Sequence, residues 1–241
     1  MASKSVHYKD YDFSLSYEML NPKAEKDFIV LHGWGSNKEL MHQSLGACLT
    51  DYRHIYIDLP GFGKSSNEIF LNVEDYAKII DLFLEALQAK KDCVAGHSFG
   101  GKVATLLKPE HLVLMASSGI LTQKPLHVRV KIALNKLLKP LGLNTIRNLF
   151  VADDAKNLSP HMYEIFKYTV NEDFSDSFLT CKAKTLLLWG KEDTATPIAT
   201  ADKINALINN SKLIEFSGDH YFFMKEKNLT CKAIASFLEN N

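Results

Sequence analysis

The sequence predicts an α/β fold built on a mostly parallel β-sheet. Apolar segments of strand length alternate with helical patterns along most of the 241 residues, which is typical of this class. Several of these segments end in glycine-rich or polar loops, where a parallel sheet gathers its ligands. The composition, 46% hydrophobic and 23% charged residues, is that of a globular protein. A chain of this length can bury a large core without a metal or a disulfide.

The N-terminal part of the chain alternates between strands and helices in a regular order. Two short alternating stretches within residues 6–20 predict a strand pair at the edge of the sheet. The pattern then predicts a buried strand at 28–31, a helix over 40–49 and a strand at 54–59. The first of these strands ends in the loop 32–36, and the second is closed by Pro60.

The strongest helical pattern follows at residues 72–87. Apolar side chains recur there every three or four residues, and Asn72 is a plausible helix cap. Next come a strand at 93–95, a short helix over 101–107 and a strand at 112–116.

Residues 119–179 differ in character from the rest of the chain. Helical patterns at 128–138 and 162–170 are interrupted by prolines, and no strand pattern is convincing. We therefore predict a helical cap over 119–179, inserted into a core domain made of 1–118 and 180–241. The core then resumes with a strand at 185–189, a helix over 198–208, a strand at 212–216 and a final helix that starts at Tyr221 or a little later and ends at Leu238.

Charge and cysteine content limit the classes of partner. Twenty-eight basic residues balance 28 acidic ones, so no overall charge favours nucleic acid or an anionic membrane. The N-terminus has no apolar core of a secretion signal, and no segment is long and apolar enough to span a bilayer. The four cysteines lack metal-binding or redox spacing, so we expect reduced thiols and a cytoplasmic protein. Nothing in the sequence distinguishes a monomer from an oligomer.

The pentapeptide GHSFG at 96–100 is the most informative motif. It lies between a predicted strand and a predicted helix. Glycines two positions either side of Ser98 permit a very tight turn that lifts the serine hydroxyl off the edge of the sheet. Ser98 is therefore a candidate nucleophile.

Two further side chains follow predicted strand ends at the same edge of the sheet. Asp193 comes after the strand at 185–189, and His220 comes after the strand at 212–216. A serine hydroxyl needs a base to remove its proton. We expect His220 to be that base and Asp193 to orient its imidazole. The alternatives are Asp193 as a cap of the next helix, and Asp219 or Glu192 as the acid; sequence adjacency disfavours the last two.

Backbone N–H groups near Ser98 are candidates to stabilise an oxyanion. The amide of Phe99 starts the helix after Ser98, and the amide of Trp34 lies in the glycine-containing loop after an earlier strand. We expect His32 to be a hydrogen-bonding structural residue, and His97 to pack beneath the turn rather than to act as a base.

Five motifs together resemble the α/β-hydrolase superfamily, and the resemblance spans nearly the whole chain. They are HGWG (32–35), DLPGFGKS (58–65), GHSFGG (96–101), WGKED (189–193) and GDH (218–220). The resemblance implies an eight-stranded sheet, a Ser98–Asp193–His220 triad, an oxyanion hole from the amides of Trp34 and Phe99, and a cap between the sixth and seventh strands. It implies no metal and no organic cofactor.

Two branches of that superfamily are similar to this chain. One hydrolyses carboxylic esters, including pimeloyl carrier-protein methyl esters, and has similar HGWG and GFG loops. The other cleaves carbon–carbon bonds of meta-cleavage products; it tends to have Asn in place of His97 and Trp in place of Tyr221. We therefore favour an esterase acting on a small, partly apolar substrate, which a carrier protein could present, with the carbon–carbon hydrolase as the alternative. A non-catalytic binding protein on this fold is a third class, which intact Ser98, Asp193 and His220 argue against.

Overall fold

A computed structural model of the protein describes residues 2–122 and 159–239. The strands in these ranges are β1 (Ala2–Tyr8), β2 (Tyr11–Leu20), β3 (Asp27–Leu31), β4 (Arg53–Ile57), β5 (Cys93–His97), β6 (His111–Met115), β7 (Lys184–Gly190) and β8 (Ser211–Phe216). These eight strands form one sheet in the order β1-β2-β4-β3-β5-β6-β7-β8. Strand β2 pairs antiparallel with β1 and with β4. The other five pairings of the sheet are parallel. The predicted mostly parallel sheet, with a strand pair at one edge, is confirmed.

Eight helices flank this sheet in the described ranges. They are α1 (Lys38–Leu45), α2 (Val73–Ala86), α3 (Phe99–Leu106), α4 (Pro160–Asn171), α5 (Ser175–Leu179), α6 (Ile198–Leu207), α7 (Phe222–Lys225) and α8 (Lys227–Glu239). The predicted final helix, from Tyr221 or a little later to Leu238, is divided in two, because the chain forms the short α7 and then α8.

Helix α2 begins where its sequence predicts. The side chain of Asn72 accepts a hydrogen bond from the backbone N–H of Asp75, and the Asp75 carboxylate accepts one from the N–H of Asn72. This reciprocal pair satisfies two N–H groups that the first helical turn leaves without partners. Asn72 is thus confirmed as the cap.

The central strands are buried on both faces, as their continuous apolar sequences require. Every residue of β3 and of β5 is buried. Strand β3 pairs with β5 from Phe28 opposite Cys93 to Leu31 opposite Gly96, so both strands end at the same edge of the sheet. The loops that follow β3 and β5 are therefore neighbours in space, although the ends of the two strands, Leu31 and His97, lie far apart in the chain.

The C-terminal part of the predicted cap, which includes α4, lies against α3, the helix that follows Ser98. The predicted helix over 128–138 falls outside the described residues, whereas the one at 162–170 lies within α4. The fully buried Lys102 ammonium of α3 donates to the carbonyl oxygen of Thr169 at 3.0 Å and to the Glu172 carboxylate at 2.6 Å. A cation at the C-terminal end of a helix binds carbonyls that have no intrahelical donor. Lys102 therefore anchors the end of α4 on α3.

Two of the four cysteines do not form the reduced thiols that the sequence predicts. Cys48, just after α1, forms a disulfide with Cys231 of α8, while Cys93 and Cys181 are free thiols. The expectation of four reduced thiols is wrong because α8 packs beside the end of α1, a contact between residues 183 positions apart that their spacing does not reveal. Disulfides persist mainly in oxidising compartments, so this bond weighs against the predicted cytoplasmic location.

Candidate active site

Ser98 lies at a sharp turn between β5 and α3. Its backbone has φ 49° and ψ −112°, a conformation that side-chain-bearing residues rarely adopt. The Ser98 N–H donates to the carbonyl oxygen of Met115 on β6 at 3.0 Å, and the Ser98 carbonyl accepts from Gly101 and Ser118. The surrounding backbone thus holds the strained residue in place. The predicted strand–turn–helix context of Ser98 is present.

Two glycines allow the loops around Ser98 to approach closely. A Cβ atom on Gly100 would lie 2.5 Å from the carbonyl oxygen of His32 and 2.7 Å from that of Leu31. A Cβ atom on Gly33 would lie 2.7 Å from Nδ1 of His97 and 3.1 Å from Cβ of Ser98. Three of these four distances are shorter than real Cβ contacts and the fourth is tight, so a side chain at either position would push the loop after β3 away from Ser98.

Asp193 and His220 meet across the ends of β7 and β8. Nδ1 of His220 lies 2.7 Å from Oδ2 of Asp193, which makes the Nδ1–H group the donor to the carboxylate. The Asp193 side chain is completely shielded from solvent, and the His220 side chain is largely so. This leaves Nε2 of His220 as the nitrogen with a lone pair in the neutral imidazole.

The Asp193 carboxylate has a full set of donors. Oδ1 accepts from the N–H groups of Ala195 and Thr196 at 2.8 and 2.9 Å, and Oδ2 accepts from the Thr196 hydroxyl at 2.8 Å as well as from His220. Burial works to raise the pKa of Asp193, but the hydrogen bonds from His220 and Thr196 outweigh it and hold the pKa below its usual value. The carboxylate is therefore ionised. Helix α6 starts after Pro197, so Asp193 is not its cap.

The two alternative acids make their contacts elsewhere. The Asp219 carboxylate accepts from the N–H of Tyr221 at 2.9 Å and lies 3.6 Å from the Lys225 ammonium. Glu192 accepts a hydrogen bond from the N–H of Gly218. Both carboxylates therefore shape the loop that carries His220 instead of binding its ring.

Sequence reasoning missed Thr196 and Trp189, which support Asp193. Nε1–H of the fully buried Trp189 donates to the carbonyl oxygen of Thr196 at 2.7 Å, and this places the Thr196 hydroxyl on the carboxylate. The sequence signal that could have found Thr196 is an Asx-turn, in which an aspartate side chain binds the N–H groups two and three residues further on.

His97 connects Ser98 with the loop of His220. Its Nε2–H donates to the carbonyl oxygen of His220 at 3.1 Å, and the two ring centroids are 4.6 Å apart. Burial lowers the pKa of His97 to about 3, so its ring is neutral. Within residues 2–122 and 159–239 no hydrogen bond joins the Ser98 hydroxyl directly to the His220 ring. Such bonds are often long without substrate and tighten when it binds.

Two backbone N–H groups near Ser98 have no acceptor in the described part of the chain. They belong to Phe99, the first residue of α3, and to Trp34, in the turn after β3. The first N–H groups of a helix have no intrahelical partner and attract negative charge.

His32 and Asp58 hold the two loops that follow β3 and β4. His32 donates from Nδ1 to the Gly33 carbonyl at 2.7 Å and accepts at Nε2 from the Leu59 N–H at 3.0 Å, so its predicted structural role is confirmed. Burial lowers the pKa of His32 to about 4. The buried Asp58 carboxylate accepts from the Lys38 ammonium at 2.6 Å and from the Lys64 N–H at 2.9 Å. Asp58 of the DLPGFGKS motif therefore has a structural role.

An aromatic cluster lies beside the loop of Trp34. The Trp34 ring is 4.8 Å from the ring of Phe62, 5.5 Å from that of Phe99 and 5.3 Å from that of Phe166 on α4, centroid to centroid. The cluster places an apolar wall next to the turn that carries Ser98, and the predicted cap contributes Phe166 to it.

Comparison with known proteins identifies the class. A family model described as alpha/beta hydrolase fold matches residues 27–124. The chain is 25% identical to a protein named uncharacterized hydrolase YugF of Bacillus subtilis (strain 168), over 92% of this chain and 93% of that one. It is 26% identical to the pimeloyl-[acyl-carrier protein] methyl ester esterase of Vibrio campbellii, over 88% and 94%.

Solved structures share the fold at lower identity. The esterase EaEST of Exiguobacterium antarcticum has a TM-score of 0.74 at 22% identity, covering 94% of this chain and 96% of that one. The meta-cleavage product hydrolase CumD of Pseudomonas fluorescens IP01 has a TM-score of 0.73 at 17% identity, covering 95% of both.

The protein has the α/β-hydrolase fold, and its similarity to hydrolases and esterases identifies it as an enzyme of that fold. In the described ranges, none of the helices combines the length and the apolar character that crossing a membrane requires.

Proposed function

We propose that this enzyme hydrolyses a carboxylic ester of a small, partly apolar substrate through an acyl-enzyme on Ser98. The similarity of the chain to named esterases supports an esterase-like enzyme. The observation that carries the proposal is the 2.7 Å hydrogen bond between His220 and an ionised, buried Asp193, on a loop bound by His97 to the turn of Ser98. That bond leaves His220 Nε2 free to accept a proton.

In the first half of the reaction, the Ser98 hydroxyl attacks the ester carbonyl while His220 Nε2 takes the hydroxyl proton. The imidazolium that forms is stabilised by the Asp193 carboxylate. His220 then gives the proton to the leaving alcohol, and an acyl group remains on Ser98. Water, deprotonated by the same nitrogen, releases the acid in the second half.

Negative charge builds up on the carbonyl oxygen in both halves of the reaction. We assign its stabilisation to the N–H groups of Trp34 and Phe99, which have no acceptor in the described residues. One such donor is worth about 3 to 4 kcal/mol in the transition state.

The aromatic cluster supports a partly apolar acyl group. Trp34, Phe62 and Phe166 form an apolar wall beside the turn of Ser98. Relatives from several Vibrio species are named as pimeloyl-[acyl-carrier protein] methyl ester esterases, which favours a methyl ester on a carrier-linked chain as one substrate to try.

Labelling with a fluorophosphonate tests the nucleophile directly. We expect the wild type to be labelled and Ser98→Ala not to be, because the probe reacts only with an activated serine. Ser44→Ala, which removes a buried hydroxyl on α1, is the matched control and should be labelled like the wild type. A folded wild type that resists the probe would remove the basis of the proposal.

A substrate panel then separates the two chemistries. Short-chain p-nitrophenyl esters and a 2-hydroxy-6-oxo-dienoate are compared by kcat/KM. Faster ester turnover is expected, and faster cleavage of the dienoate would establish the carbon–carbon hydrolase in its place.

A further inference from the structure

The Thr196 hydroxyl contacts both members of the Asp193–His220 pair. Its hydroxyl lies 2.8 Å from Oδ2 of Asp193, 3.3 Å from Nδ1 of His220 and 3.2 Å from the carbonyl oxygen of Ala116. Its own N–H binds the other carboxylate oxygen at 2.9 Å. One side chain thus reaches both members of the pair and the end of β6.

The ordinary role of a threonine before a helix does not explain these contacts. A capping threonine accepts hydrogen bonds from the first turn of its helix. The N-cap position of α6 is Pro197, and every partner of the Thr196 hydroxyl lies outside that helix. The hydroxyl is directed at the carboxylate instead.

The hydrogen atoms can be assigned from the chemistry of the groups. The ionised carboxylate only accepts, so the single Thr196 hydroxyl proton points to Oδ2, its nearest acceptor. The hydroxyl lone pairs are then available to the Nδ1–H of His220, whose stronger bond is to Oδ2 at 2.7 Å. The three groups form a closed triangle, and a carboxylate in such a triangle cannot rotate away from the imidazole without breaking two bonds.

We propose that Thr196 is a positioning residue of this enzyme: its hydroxyl fixes the Asp193 carboxylate in the orientation that holds the His220 imidazole. The proposal deepens the proposed function and rests on it. Because Thr196 does not touch the substrate, its loss lowers the rate of the chemical step and leaves binding unchanged. Because it acts through Asp193, its effect disappears when Asp193 cannot hold the imidazole.

Two substitutions isolate the hydroxyl. Thr196→Val keeps the shape of the side chain and removes the hydroxyl, whereas Thr196→Ser keeps the hydroxyl. We expect Thr196→Val to lower kcat about 10- to 100-fold with KM within about twofold of the wild type, and Thr196→Ser to restore most of the rate. An unchanged kcat in Thr196→Val, or an equal loss in both variants, would overturn the proposal.

A double-mutant cycle tests the route through Asp193. Labelling by a fluorophosphonate is timed for Asp193→Asn and for Asp193→Asn with Thr196→Val. The valine should slow labelling much less in the Asp193→Asn background than in the wild type, because the interaction is already lost. The same fold-change in both backgrounds would contradict a positioning role.

Proton NMR gives a readout that does not depend on hydrolysis. The downfield resonance of His220 Nδ1–H, recognised by its absence in His220→Gln, should shift and exchange faster with water in Thr196→Val but not in Thr196→Ser. An unmoved resonance in Thr196→Val refutes the role of Thr196 whatever the substrate. If the resonance moves but the protein hydrolyses no ester, the positioning role of Thr196 is supported and only the proposed function is refuted.

Discussion

The two halves of the candidate site are held by different physical means. On the side of Asp193 and His220, side-chain hydrogen bonds define the geometry, and the carboxylate accepts four of them. On the side of Ser98, close backbone contacts define it: Ser98 has a positive φ, and a Cβ atom on Gly100 would lie 2.5 Å from the carbonyl oxygen of His32.

This difference predicts how each half fails. A hydrogen-bonded group can be replaced by one of the same shape, so chemistry can be lost while the fold remains. A close backbone contact cannot be loosened without moving the strands that it joins. Substitutions on the Asp193 side should therefore separate activity from stability, and those on the Ser98 side should lose both together.

The largest expected effect is on the Asp193 side. Asp193→Asn should lower kcat about 10⁴-fold, because an amide can present its N–H group to Nδ1 and favour the wrong tautomer of His220. Circular dichroism should show a native fold, and steady-state kinetics on an ester measures the loss.

The alternative acid provides the control for that prediction. Asp219→Asn removes a carboxylate one position from His220 that contacts Tyr221 and Lys225, and it should keep most of the activity. If Asp219→Asn loses more activity than Asp193→Asn, the assignment of the acid is reversed.

The next effect is on the Ser98 side. Gly100→Ala should lower the free energy of unfolding by about 3 kcal/mol, because the added methyl group meets the carbonyl oxygens of Leu31 and His32. Activity should fall with stability, since the loop that carries Trp34 is displaced. Urea unfolding and ester kinetics on one preparation measure both.

A glycine with open space provides the comparison. A Cβ atom on Gly35 has nothing within 4 Å, so Gly35→Ala carries only the cost of its positive φ, about 1 kcal/mol. Equal stability losses at Gly100 and Gly35 would show that close contact is not what holds the Ser98 side.

The last effect is a dependence of stability on pH that arises on the Ser98 side, and for each histidine it is smaller per pH unit than the loss expected for Gly100→Ala. His32 and His97 are buried and neutral, with pKa values lowered to about 4 and about 3 by burial. The unfolded chain binds their protons near pH 6.5 while the folded chain does not, so stability falls as the pH drops from about 6.5 towards 4. Each histidine contributes at most about 1.4 kcal/mol per pH unit.

Removing one of these histidines should flatten that dependence. Urea unfolding of His97→Gln at pH 6.5, 5.5 and 4.5 should show a slope lower by up to about 1.4 kcal/mol per pH unit. Ser44→Ala, which removes a buried hydroxyl that does not titrate, should leave the slope unchanged. An unchanged slope in His97→Gln would mean that His97 takes up a proton in the folded protein.

Local sequence patterns predicted most of the fold. Strands β3 and β5 were recognisable from short apolar runs, and Asn72 from its position before an amphipathic helix. The split of the last helix into α7 and α8 was missed, because an apolar periodicity does not record where packing interrupts a helix. The disulfide between Cys48 and Cys231 was missed because it depends on how α8 docks beside the end of α1.

The sequence alone was enough to identify the candidate nucleophile, acid and base, because each follows the end of a strand and the ends of parallel strands share one edge. Only the tertiary structure decided what holds them. The Thr196 hydroxyl binds the carboxylate of its own loop, whereas His97 and Lys102 bind backbone carbonyls of other loops and helices, those of His220 and Thr169. Strand order determines which loops become neighbours, but side-chain rotamers and close packing determine which atoms meet.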